Sequence, residues 1–132
     1  MKFLILFVLL TTSAFAQVLD DTAVNLQFSG RVNMAKANSF DTRATVYLGS
    51  ANGNLVHIVG STTITSFGPA AQTGIQRNVI FDGVTALTYN ASTLVIPGST
   101  TMTTAAGDSA LIVSDSTTKW IVIQYTRKAT AP

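Results

Sequence analysis

The chain has no cysteine and no glutamate, and only 11% of its residues carry charge. Without cysteine there is neither a disulfide nor a thiolate, so burial and backbone pairing alone must hold the fold. The side chains available for acid–base or metal chemistry are one histidine, His57, and six acidic residues, all aspartate. Basic residues are scarce too. The eight Lys and Arg are scattered, with only Arg127-Lys128 adjacent, and form no stripe that would neutralise a row of phosphates, which argues against nucleic acid as a partner. The apolar run from Phe3 to Leu10 is too short to cross a bilayer core of about 30 Å, which takes roughly 20 residues. No stretch of about a dozen residues keeps a helical period.

The opening MKFLILFVLLTTSAFAQ reads as a secretory signal peptide. Lys2 supplies the positive n-region, Phe3 to Leu10 the apolar h-region, and Ala14-Phe15-Ala16 the small-residue cleavage signal, so cleavage is expected between Ala16 and Gln17. Residues 17–132 would remain, without Phe3, Phe7 and Phe15 and with a smaller positive charge. The expected location is secreted and extracellular, or in a virion, with no membrane contact after cleavage.

What remains is rich in Val, Ile and Thr, a composition that favours strands. Period-two runs occur at Val46–Leu48, Leu55–Val59, Thr62–Phe67, Asn78–Phe81, Ala86–Tyr89, Thr93–Ile96, Ser109–Val113 and Lys119–Tyr125. Turn signals separate them, among them Gly60-Ser61, Gly68-Pro69, Asp82-Gly83, Pro97-Gly98 and Gly107-Asp108. Short strands at this spacing predict an all-β fold, a small sandwich or β-roll of short antiparallel strands, with a β-helix-like fibre module as the alternative. The expected organisation is a signal peptide at 1–16, an N-terminal arm at 17–42, the all-β module at 43–129, and a tail at 130–132. Val24, Leu26 and Phe28 alternate strictly and predict one strand on the arm, whereas 31–42 reads as a helical turn or linker.

The order of certain short motifs resembles a module of bacteriophage tail-fibre and related virion proteins, many of them carried in prophages. The matching pieces begin with Gly53-Asn54, Val56, Ile58, Gly60 and Thr63-Ile64. They continue through Arg77-Asn78-Val79-Ile80-Phe81-Asp82-Gly83, Leu87-Thr88, the Leu94-to-Pro97 strand and turn, and Ala105-Ala106-Gly107-Asp108, to Trp120 and Tyr125. Together they cover roughly residues 43–129. The resemblance implies a structural or binding role, commonly oligomeric and in fibres trimeric, with no catalytic residues to carry over.

The candidate site residues are few. His57 would share a strand face with Leu55 and Val59, opposite Val56 and Ile58, which makes it a surface or interface group. Asp82, Asp108 and Asp115 stand in turns, where an Asp carboxylate accepts backbone N–H bonds two residues on. No D-x-D-x-D-G run marks a cation loop. Tyr89, Trp120 and Tyr125 are candidates for stacking on a cell-surface glycan, although a regular strand puts Trp120 and Tyr125 on opposite faces. Trp120 and Phe81 are expected in the core. His57, Tyr89 and Tyr125 are therefore the expected ligand or interface residues, with no catalytic, cofactor or metal residues.

The function expected from these readings is a non-enzymatic, exported structural or adhesive subunit that associates with copies of itself. The alternatives are a bacterial surface or filament subunit, and a small secreted polysaccharide-acting enzyme using two paired carboxylates.

Overall fold

The structure is a computed structural model and describes residues 34–129. The expected signal peptide, the arm strand at Val24–Phe28 and the tail at 130–132 lie outside the described residues.

Eight strands form among the described residues, and along the longer ones buried and more exposed positions alternate: β1 Phe40–Asp41, β2 Leu55–Val59, β3 Gln76–Phe81, β4 Ala86–Leu87, β5 Leu94–Val95, β6 Met102–Thr103, β7 Asp108–Ser114 and β8 Trp120–Thr126. Short 3-10 turns at Leu48–Ser50 and Pro97–Ser99 are the only helical pieces among the described residues. No helix among these residues is long and apolar enough to cross a membrane. The fold is all-β, as the alternation predicts.

Six strands make one sheet in the order β1-β2-β3-β7-β8-β5, and β4 pairs with β6 in a second, small sheet. The pairing departs from a purely antiparallel arrangement. β3–β7 and β7–β8 are antiparallel, but β1–β2, β2–β3 and β5–β8 are parallel. A parallel pair needs a long crossover, not a tight turn. Residues 42–54 and 60–75 supply two such crossovers. They carry Val46, Leu48, Ile64 and Phe67, none more than 1% exposed, onto one face of the sheet. Two segments that read as strands are thus mostly the cover of the core, tied in by single bridges at Thr45–Ser66 and Ile64–Leu87.

Beneath that cover lie the inward residues of the large sheet: Val56 and Ile58, Val79 and Phe81, Ala110 and Ile112, Trp120 and Val122. Trp120 and Phe81 are fully buried, as expected. Trp120 donates its indole Nε1–H to the Gly68 carbonyl at 2.8 Å, which satisfies the one polar atom of that ring. Gly68 has φ +65°, and a Cβ there would sit 2.7 Å from the Tyr47 ring, so only glycine fits.

Two local expectations need correction. Residues 34–42 are not a helical turn or free linker in their described part: Lys36 bridges Leu55, Ala37 is buried, and Phe40–Asp41 adds β1 to the sheet. The run at Val46–Leu48 ends in a 3-10 turn, not a strand, because Arg77 reaches in from β3. Its Nε donates to the Leu48 carbonyl at 3.3 Å, Nη2 to the Ala51 carbonyl at 3.3 Å, and Nη1 to Asn54 Oδ1 at 2.8 Å. The guanidinium folds the segment around itself.

Candidate functional site

The outward residues of the large sheet make a face of unusual composition. β2 presents Leu55, His57 and Val59, and β3 presents Asn78 and Ile80. β7 presents Ser109, Leu111 and Val113. In β8, Ile121 is half-buried and Ile123 is 55% exposed. A groove of about 270 Å³ crosses this face over β2, β3, β7 and β8, with no charged residue in its lining.

The one ionisable pair on the face is His57 with Asp82. His57 Nδ1 lies 2.9 Å from Asp82 Oδ2 and 3.1 Å from Oδ1, so Nδ1 carries the proton and donates it to the carboxylate. The pair exists because the ends of β2 and β3, which run parallel, stop side by side. Asp82 N–H donates to the Ile58 carbonyl at 2.8 Å. Beyond it the chain passes so near Gly60 that a Cβ on Gly83 would lie 2.2 Å from the Gly60 carbonyl oxygen. The Asp-Gly pair was legible as a turn, but its histidine partner is 25 residues away and depends on the strand register.

Tyr125 lies on the other side of the sheet. Ile112 pairs with Val122 and Leu111 with Gln124, so Ile123 is an extra residue in β8. This bulge reverses the alternation after Val122 and turns Tyr125 inward, opposite the buried Ala110 and on the same face as Trp120. The opposite-face expectation therefore fails, because it assumed a regular strand. Tyr125 donates its hydroxyl to Asp108 Oδ2. Asp108, 1% exposed, also accepts the amides of Ala105 at 2.7 Å and Lys128 at 2.9 Å.

These bonds have a pH signature. Burial pushes the Asp108 carboxyl up, but the Tyr125 hydroxyl, the two amides and the Arg127 charge outweigh it and hold its pKa below the ordinary 3.8. Burial and the Asp108 carboxylate push Tyr125 up to about 12. The contribution of Asp108 to stability is complete above pH 3.8 and is lost as pH falls through its lowered value. That of Tyr125 is complete below pH 10.0 and is lost as pH rises through about 12. Asp108→Asn should flatten the acid limb of a stability–pH profile measured by urea unfolding, and Tyr125→Phe the alkaline limb. An acid limb unchanged in Asp108→Asn would refute this account.

Tyr89 is partly buried against the core. The three expected interface residues are thus not assembled: His57 lies on the outer face, whereas Tyr89 and Tyr125 are engaged with the interior. A stacking platform including Trp120 does not form, because that ring is fully buried. Asn90 heads a local turn, its Oδ1 accepting the amides of Ser92 at 2.8 Å and Thr93 at 3.2 Å.

The aspartates are also engaged separately. Asp115 pairs with Lys119, Asp82 with His57, and Asp108 with Tyr125. Asp82 and Asp108 are near neighbours across β3 and β7, since Phe81 is in register with Asp108. One faces outward and the other inward, so they share no groove. Among the described residues no group of three or more His, Cys, Asp or Glu could hold a metal ion. Comparison with protein-family models, with curated proteins and with solved structures finds no match.

Proposed function

We propose that this chain is an exported, non-enzymatic structural or adhesive subunit that associates with copies of itself through the outer face of its large sheet. The observation that carries the reading is that face: Leu55, Ile80, Leu111, Val113, Ile121 and Ile123 point outward, and His57–Asp82 is the only ionisable pair among them. An exposed, nearly uncharged sheet face can be covered by protein without desolvating charge, which is the usual mark of an interaction surface. The motif order shared with phage tail-fibre modules supports a structural role and a trimer, and the opening residues support export, to the extracellular medium or into a virion. A cell-surface glycan is a further partner under the adhesive form of this reading.

Light scattering of the exported protein at micromolar concentration should give a mass above that of one chain. Mass spectrometry of purified virions against culture supernatant then separates a phage component from a bacterial surface or filament subunit. A strictly monomeric protein would overturn the proposal.

A further inference from the structure

We infer that the groove on the outer face is the docking site for Val24–Phe28 of a second copy of this chain, an inference that rests on the self-association just proposed. Three observations carry it. The groove is lined by apolar Leu55, Ile80 and Leu111 together with neutral hydrogen-bonding Asn78, Ser109 and Gln124. Its occupant must therefore bring apolar side chains, no charge, and a few neutral donors and acceptors. The segment Val24-Asn25-Leu26-Gln27-Phe28 has that chemistry, with three apolar residues alternating with two amides and no charge between Thr22 and Gly30. In extended form it would set Val24, Leu26 and Phe28 on one side.

The third observation is where the described chain starts. Met34 Sδ accepts a hydrogen bond from Asn78 Nδ2, and Asn78 lines the groove. Met34, the first described residue, thus stands beside this groove. The six-residue step from Phe28 to Met34 reaches up to about 20 Å when extended. When two grooves lie near each other, each arm is long enough to enter its neighbour's groove. Each copy then gives one arm and receives one, so the exchange closes and leaves no groove open.

The absence of native cysteine makes the test direct. Leu26→Cys is made in one preparation of the mature chain and Ser109→Cys in another, isotopically labelled one, and the two are mixed and oxidised. The expected result is a covalent heterodimer, identified by mass, in excess of either homodimer. Replacing the second variant with Thr100→Cys, exposed and outside the groove, should abolish it. Leu111→Lys should raise the dissociation constant of the assembly at least tenfold while leaving the far-ultraviolet circular dichroism unchanged. A chain carrying both cysteines that links within itself would overturn the inference in favour of its own arm. Absence of any 26–109 link in a protein that still self-associates would overturn the inference and leave the proposed function standing. A protein that is monomeric throughout would overturn both.

Discussion

Trp120→Ala should cost about 3–5 kcal/mol of folding stability, read as a fall in the urea midpoint. The indole is fully buried, at the start of the last strand, between β7 and β5. Removing it opens a cavity under the crossover that carries Phe67, and it also strands the Gly68 carbonyl. Small domains have only about 5–15 kcal/mol in hand, so this one change takes a large share of it. Trp120→Phe separates the two contributions. It keeps most of the apolar volume and loses the hydrogen bond, for an expected cost of about 1–3 kcal/mol. A Trp120→Ala loss below about 1 kcal/mol would contradict the buried placement.

Arg77→Ala should be comparably damaging, at about 3–5 kcal/mol, for a different reason. Arg77 is only 9% exposed and has no carboxylate partner among the described residues; carbonyl groups and the Asn54 amide hold its guanidinium instead. Burial lowers its pKa from the ordinary arginine value, but the bonds keep the charge tolerable. Deleting it leaves the Ala51 carbonyl and Asn54 Oδ1 without this donor and the Leu48 carbonyl with only the Ala51 amide, and it frees the 3-10 turn; each group left unsatisfied costs about 1–3 kcal/mol. Arg77→Lys should rescue only part of the loss, because an ammonium cannot bridge acceptors spread along a turn as a planar fork does. Unfolding curves for the two variants check this directly, and an Arg77→Lys protein as stable as the parent would exclude the clamp.

Part of this architecture could be read from the residues. The strands at 55–59, 76–81, 108–114 and 120–126 announce themselves because one face is buried and the other is not, which forces apolar and polar residues to alternate. The pair Met102–Thr103 escaped notice because its Thr-rich surroundings carry no such contrast. Val46, Leu48, Ile64 and Phe67 showed the right apolar spacing for strands, yet they serve as the lid of the core; burial alone does not distinguish the two uses. Parallel pairing was invisible because it is decided by which strands a crossover brings together.

The candidate site was legible only in outline. His57 could be placed on the outward face from Val56 and Ile58, but its carboxylate partner could not. Tyr125 was misplaced because one inserted residue, Ile123, reverses every side chain after it, and no turn former or glycine marks that position.

The place of β8 in the sheet also sets when this chain can fold. Trp120 closes the core, and its strand follows the other seven described strands in the chain; its partners at Gly68, Leu94 and Ser114 all precede it. Until residues near 120 are free to move, β5 has no neighbour and the space under Phe67 stays open to water. Contacts this remote along the chain form slowly, because loop closure is paid for before burial returns anything.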